Sequence, residues 1–447
     1  MRVLIVGRWA KEEALARCLE EEDGIRLYAF MGGKNRNIAA LARDFVIGDC
    51  RRVSAIRKYA LSRSVDMAVV GATRALAHGA VDALEAVGIP CMAPTRAAFR
   101  LESDKAFVRR LMEEHAIAGM PDFAVFDDPR DAVRHLEATE EQVAVKPVGL
   151  TDGFGVKVMG RQLRDEAEAK RYVRRIFEED IGGLPRVVIE ERLRGEEFSL
   201  QAFVDGTNLS FTPVVRDYKL LEEGEGGINT GGMGSYSDAD HRLPVLAERH
   251  YRDAASIMRR VIHVLREDLG APYRGVLVGQ FILHGDEVML LEFNGRPGDP
   301  EFLNVAAVLE TSLLDIFETA RTGRLDRLTV SYENRATVCK YLNPEGYPDP
   351  RGPMRFAIDE EKVARRGASV HHSCAELSEG VYEPGPRGVA ITGVGDTLGE
   401  ADRVCEECIG LAEGDPLCHR RDIGTPALTF HYREPVPDRE ARVARAS

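Results

Sequence analysis

"EFNGRPGDPE", residues 292–301, sets carboxylates, an amide and an arginine among two glycines and two prolines. Glu292 closes the apolar run "VMLLEF", so the pattern predicts a strand that ends on a charge. Side chains two positions apart on a strand share a face, which aligns Glu292 with Asn294, and Arg296 follows two residues on. Gln280 lies near the end of the preceding predicted strand, "RGVLVGQFILHG". Oxygen donors gathered at neighbouring strand ends suit Mg²⁺, a hard cation that shares its coordination with substrate phosphates. Arg296 can meet a phosphate or a carboxylate through two parallel hydrogen bonds. A surface turn with one salt bridge is the plainer alternative, but a glutamate closing so apolar a strand calls for a partner.

Upstream, Lys105 opens a predicted helix capped by Ser103, and Lys146 ends the strand "QVAVK". A cation at the end of a buried strand needs an anion, and a nucleotide phosphate would serve. "GLTDGFG" (149–155) can bend over phosphates with its backbone amides, Gly153 and Gly155 among them, although a Gly-rich turn alone is weak support. In "VVIEERL", Glu190 and Glu191 follow a β-branched run, where an edge segment could bond an adenine or simply form an exposed hinge. The order is more specific than any member: cation, cation, Gly loop, acidic hinge, Glu-x-Asn.

Residues 1–102 alternate apolar strands with helices, which predicts a small parallel α/β domain with ligands beyond the carboxyl ends of its strands. "PCMAP" (90–94) reads as its last strand. Residues 103–330 form a second body, with a lid at about 120–190. In it, "EGEGGINTGGMGSYSDAD" (223–240) reads as a long functional loop and "PEFLNVAAVLETSLLDIFETARTG" (300–323) as one helix. A strand-rich α+β module covers 331–430, and the polar tail 431–447 reads as disordered.

The chain has 447 residues and a formal charge of −13, which argues against nonspecific polyanion binding and so against nucleic acid as the main partner. No signal-peptide pattern or long apolar run suggests secretion or a membrane span, so the expected location is cytoplasmic. Eight scattered cysteines do not make a disulfide framework. "CEEC" (405–408) has helical spacing and reads as half-buried helix cysteines. His371 and His372 diverge on a strand and are not expected to share a metal.

With these motifs in order, the chain resembles the ATP-grasp superfamily and, within it, the phosphoribosylamine–glycine ligase family, over residues 1 to about 430. The most specific matches are "NTGGMGSYS" (229–237), "EFNGRPGDPE", "RGEEFSLQAFVDG" (194–206) and "CHRRDIG" (418–424). The resemblance implies an ATP-dependent carboxylate–amine ligase in purine biosynthesis, working as a monomer or weak homodimer with ATP and Mg²⁺ or Mn²⁺. It implies that Lys105, Lys146, Gly153 and Gly155 hold phosphates, and that Glu190, Glu191 and Glu197 meet adenine and ribose. Gln280, Glu292 and Asn294 would hold the metal, with Arg296 and Lys146 as the catalytic cations. Gly7, Lys11, Asp217, Lys219, Asn229, Thr230, Gly231, Gly232, Arg296 and Asp299 would bind the amine and the carboxylate.

The departures cluster. The family turn Gly-x-Gly-Gly-Arg-Glu-His-Ala is "GRWAKEEA" here (7–14), with Lys11 for arginine and Glu13 for histidine, and its tight glycine turn is lost. Thr73 stands where a carboxylate is expected, "DYKL" (217–220) replaces Asp-His-Lys-Arg, Pro297 replaces phenylalanine, and Phe154 replaces a lysine. Most of these positions belong, by resemblance, to the phosphoribosylamine pocket. Three readings follow: the family reaction, a related ligase joining another carboxylate and amine, or a non-catalytic nucleotide-binding relative.

Overall fold

In the computed structural model, residues 1–151, 153–349, 352–383 and 387–425 are described. Strands β1 (Arg2–Val6), β2 (Arg26–Met31), β3 (Asp44–Ile47) and β4 (Met67–Val70) form a parallel sheet in the order β3-β2-β1-β4. Alternation along β1 sends Val3 and Ile5 into one core and Leu4 and Val6 into the other, so both faces are covered, as an all-parallel sheet requires. The sequence order reverses between β1 and β4, and the crevice beyond their ends is where such sheets bind ligands. The strand expected at 90–94 is only a single bridge, Ala68 to Cys91. Pro90 and Pro94 flank it, and neither can donate to a ladder.

The central body is an antiparallel sheet in the order Leu209–Phe211, Glu196–Asp205, Arg274–His284, Glu287–Asn294. The amphipathic helix Glu248–Glu267 covers it, burying Met258, Val261 and Leu265 in the same core as Phe281 and Leu290. A second sheet, ordered Phe123–Phe126, Val187–Glu191, Val143–Pro147, Lys157–Val158, carries the helices Pro129–Ala138 and Glu166–Glu178 over its own small core. That separate core is what a body able to move against the first sheet needs.

Three expectations fail in instructive ways. The helix Lys105–Glu114 is capped by Asp104, whose Oδ1 accepts from the Phe107 amide at 2.9 Å, while Ser103 ends the preceding helical turn. The stretch 300–323 is two helices, Glu301–Ala306 and Leu313–Arg321, because Ser312 caps a fresh start through the Asp315 amide. The glycine-rich stretch is mostly the strand Gly226–Ser237, paired on both sides. Glycine serves close approach there: a Cβ on Gly234 would lie 2.3 Å from the Cys339 carbonyl oxygen.

That strand joins Arg216–Glu222 to Ala336–Pro344, Val389–Gly395 and Ala368–His372 in one sheet, so hydrogen bonding runs across residue 331. Cys405 and Cys408 are buried, unpaired thiols on the helix Leu398–Ile409. His372 Nε2 lies 3.1 Å from Glu360, and His371 Nδ1 lies 3.7 Å from Glu13, so the two rings have separate partners. No described helix is long and apolar enough to cross a membrane. The tail 431–447 lies outside the described residues.

Candidate active site

Between the two antiparallel sheets lies a cleft with about 1590 Å³ of open space. Lys146, Glu197, Gln280, Glu292, Asn294 and Arg296 all line it, so the residues read from strand ends do converge. Lys105 lines an adjoining recess of about 590 Å³ with Lys146, Glu292 and Arg296. Lys105 Nζ donates to the Gly149 carbonyl at 3.0 Å, which fastens the root of the Gly-rich turn. Gly153 lines both spaces. Gly155 stands behind the turn, where Tyr172 donates to its carbonyl at 2.6 Å and Thr151 fills the space a Cβ would need.

Glu292 faces Gln280 directly across the ladder. Among the described residues no group hydrogen-bonds its carboxylate. Burial works against its charge, yet Lys219, Lys105, Lys146 and Arg296 together hold it below the usual glutamate range. An ionised carboxylate kept this way beside an amide oxygen on Asn294 is a fitting donor pair for a hard divalent cation. Gln280 is already engaged: its Oε1 accepts from Ser199 at 2.9 Å and its Nε2 donates to Glu301 at 2.6 Å. One acceptor site on its oxygen remains for a metal. Among the described residues no three His, Cys, Asp or Glu side chains form a metal cluster. A set of one carboxylate and two amides fits Mg²⁺ only if phosphate oxygens or water complete it.

Two residues behind this set were not found from sequence. Glu301 is pushed above the usual carboxylate range by burial and by Asp217, and Ser199 lies between them, 3.2 Å from Asp217 and 3.4 Å from Glu301. Lys219 is 3.6 Å from Asp217; burial opposes its charge, but Asp217, Glu197, Glu292 and Glu301 hold it well above the usual lysine range.

Glu190 corrects the adenine expectation. It lies in the middle of its sheet, paired with both Phe123 and Ala144, so its backbone is no free edge. Its carboxylate accepts from Arg109 Nε at 2.7 Å and Nη2 at 3.1 Å, and Lys146 Nζ is 2.6 Å away. Burial opposes ionisation, but Arg109 and Lys146 bring it down to about 2. Glu190 therefore positions Lys146. The Glu191 amide is likewise spent, on the Asp122 carbonyl at 2.9 Å, and the strand gives way to Arg192 and Leu193 at the cleft wall. Arg109 was legible in principle, as a charge on the apolar face of an amphipathic helix between buried Ala106 and Met112.

The expected substrate residues divide. Asp217, Lys219, Asn229 and Thr230 line this first cleft, whereas Gly7 and Lys11 line a second cavity, of about 2090 Å³, at the carboxyl ends of the parallel strands. Gly231, Arg296 and Asp299 line both. Gly232 lines neither; its φ of +110° and the nearness of Pro300 leave no room for a side chain. Arg387, also missed, ties this junction together. It donates to the carbonyls of Gly231 (2.8 Å) and Asp299 (2.9 Å), pairs with the Asp299 carboxylate at 3.0 Å, and lies over the Tyr341 ring. Arg296 is steered by Glu102, 3.5 Å away, and reaches the Asn294 amide oxygen at 3.5 Å. Trp9, Thr73 and Phe154, three of the altered positions, all border the strand-end cavity.

A cleft between two antiparallel sheets, with Lys146 on one, Lys105 opening a helix beside it and a Glu-x-Asn strand end on the other, defines an ATP-grasp protein. In solved structures the same fold recurs in phosphoribosylamine–glycine ligase from Thermotoga maritima (TM-score 0.78, 24% identity, 94% of this chain and 100% of that one). It recurs too in the biotin carboxylase domain of Hydrogenobacter thermophilus 2-oxoglutarate carboxylase, solved with MgADP (TM-score 0.73, 13% identity, 96% and 94%). Family models match the N domain of phosphoribosylglycinamide synthetase at residues 1–102 and its ATP-grasp (A) domain at 103–302. The chain is 41% identical over 432 residues to phosphoribosylamine–glycine ligase of Methanopyrus kandleri, covering 95% of this chain and 96% of the relative. It is 42% identical over 430 residues to that of Methanothermobacter thermautotrophicus, covering 96% and 97%. The chain belongs to the phosphoribosylglycinamide synthetase family.

Proposed function

We infer that the chain is a C–N bond-forming ligase that joins glycine to phosphoribosylamine, with ATP converted to ADP and phosphate, in purine biosynthesis. The observation that carries this is the position of Arg296, which borders both the nucleotide cleft and the strand-end cavity. A carboxylate is a poor electrophile until it carries a leaving group. A glycine carboxylate oxygen attacks the γ-phosphorus, the bond to the β-bridging oxygen breaks, and ADP departs. The amine then attacks the acyl carbon, phosphate leaves with the bonding pair, and the amine proton passes to phosphate or solvent.

In this reading Lys105 and Lys146 bind ATP phosphates, with Glu190 and Arg109 fixing Lys146. Glu197 takes the ribose hydroxyls, and the adenine lies along Arg192 and Leu193. Glu292 and Asn294, with Gln280 beside them, would hold Mg²⁺ or Mn²⁺, whose charge spreads that of the transferring phosphoryl group. Arg296 steadies the acyl phosphate where the two spaces meet. Residues 1–102 form the amine side, 103–330 the ATP-grasp body with its lid at 120–190, and 331–430 the closing module of a cytoplasmic monomer or weak homodimer.

The test is ADP release by the purified protein with Mg-ATP, glycine and phosphoribosylamine. Release that needs both co-substrates is expected. ADP release only with another acid and amine would replace this reading with a related ligase. Nucleotide binding without turnover for any pair would leave a non-catalytic relative.

A further inference from the structure

The glycines missing from the turn after β1 raise a specific question: what holds the anionic end of the amine substrate? In a doubly wound sheet the first turn and helix offer backbone amides to a phosphate. Here two of those donors are spent inside the protein. The Trp9 amide donates to Glu12 Oε2 at 2.7 Å, and the Ala10 amide donates to Ser373 Oγ at 3.3 Å. The crevice between β1 and β4 is also full. A Cβ on Gly7 would lie 2.4 Å from Glu12 Cγ, and one on Gly71 would lie 2.3 Å from Glu12 Oε1. Glu12 is wholly buried, and Lys11 Nζ sits 2.9 Å from it. A carboxylate therefore occupies the place where a phosphate would meet the helix terminus.

The cavity itself is cationic. Arg8, Lys11, Arg51, Arg74, Arg296 and Arg387 line it against the carboxylates of Asp49 and Asp299, in a chain whose formal charge is −13. Several of these cations have structural work. Arg8 pairs with Glu383 and lies over the Trp9 ring at 4.2 Å, Arg387 pairs with Asp299, and Arg296 serves the junction. Lys11 and Arg296 are likewise held by Glu12 and Glu102, and none of Glu12, Glu102 and Glu383 lines the space. Arg51 follows β3 and Arg74 follows β4, at the outer rim. The Arg51–Asp49 pair, at 2.9 Å, is solvent-exposed, and an exposed pair is easily exchanged for a ligand anion.

We propose that the phosphate of the amine substrate is held by the guanidinium groups of Arg51 and Arg74 at the rim of this cavity, in place of the backbone amides of the turn after β1. This rests on the reading of the strand-end cavity as the amine site and names the residues that give it specificity. It also accounts for a turn that can lose its glycines: with side chains doing the binding, backbone approach is no longer needed, and Arg8 and Trp9 become wall.

Trp9, the only tryptophan in the chain, borders the cavity and reports on it directly. The full-length protein is titrated with ribose 5-phosphate, a stable stand-in for phosphoribosylamine, by Trp fluorescence and, on the same samples, by calorimetry. Saturable binding that weakens with salt is expected, with ribose at least tenfold weaker. Arg51→Ala and Arg74→Ala should each raise the Kd about five- to tenfold, as loss of a partly exposed charge-assisted contact does. ADP affinity, measured in parallel, controls for folding. Ribose binding as tightly as ribose 5-phosphate, no calorimetric binding of the latter, or an unchanged Kd in both variants would overturn the proposal. Ligase activity is scored separately: turnover with phosphoribosylamine together with an unchanged Kd in both variants sinks this assignment and spares the reaction, while ribose 5-phosphate binding through the arginines without turnover does the reverse.

Discussion

The nucleotide cleft and the strand-end cavity handle charge in opposite ways. In the cleft, Glu292 is kept ionised by surrounding cations, with no described group bonded to its oxygens. Beneath the cavity, Glu12 accepts from the Trp9 amide, pairs with Lys11, and fills the space between β1 and β4. A carboxylate that lines an open cleft among cations and accepts no hydrogen bond is available to a ligand. One wholly buried against its own helix's lysine and a neighbouring amide is committed to the fold. By that criterion the cleft is built to receive a cation and phosphates, and the floor of the cavity is built to hold itself together.

The sharpest way to break this contrast is Glu292→Ala. Removing the only carboxylate of the donor set should lower the rate of ADP release by about a thousandfold, the scale seen when a key electrostatic contact to the transition state is lost. Stability should fall only modestly, because the carboxylate accepts no hydrogen bond from any described group but its charge offsets those of Lys105, Lys146, Lys219 and Arg296. Steady-state kinetics and a denaturant titration check both halves. Activity within tenfold of the parent would remove the metal assignment.

Glu190 gives the opposite expectation. Arg109→Ala leaves its carboxylate with Lys146 alone and should cost about 3–5 kcal/mol of stability, as breaking a buried ion pair does. Combined with Glu190→Gln, the loss should fall well short of the sum, which a double-mutant cycle in urea would show. The pH dependence has a definite sign. The folded pKa of Glu190, about 2, lies below its unfolded value near 4.5. Its contribution is therefore complete above pH 4.5 and is lost as pH falls towards 2. Parent and Glu190→Gln should differ most at neutral pH and converge as pH falls from 4.5 towards 2.

The contrast also explains what could be read from sequence. Glu292, Asn294 and Lys146 were legible because a charge at the end of an apolar strand has few other uses. The role of Glu190 was not, because its partner Arg109 is 81 positions away and only the fold brings them within 2.7 Å. The stretch 223–240 reads as a loop because glycine is the usual sign of one, yet 226–237 is a strand. In the strand it permits the approach of the Cys339 carbonyl, a feature of a neighbour far along the chain. Arg387 escaped for the same reason: its meaning lies in two carbonyls and a carboxylate from other segments. Local chemistry travels with the sequence, whereas pairing across the chain does not.

The smallest expected effect sharpens the boundary between the two regions. Phe154 stands on the Gly-rich turn, 41% exposed, where the resemblance calls for a lysine. Its amide donates to the Thr151 carbonyl at 3.0 Å, so the turn keeps its shape whatever side chain it carries. Phe154 borders the strand-end cavity, while Gly153 beside it borders the nucleotide cleft. Phe154→Lys therefore adds a cation at the seam without disturbing either floor. An exposed charge contributes about 0.2–1 kcal/mol, so KM for the amine should fall about two- to threefold, with KM for ATP and kcat unchanged. If KM for ATP falls instead, the turn's tip serves the nucleotide, and the line between the two regions moves to the far side of residue 154.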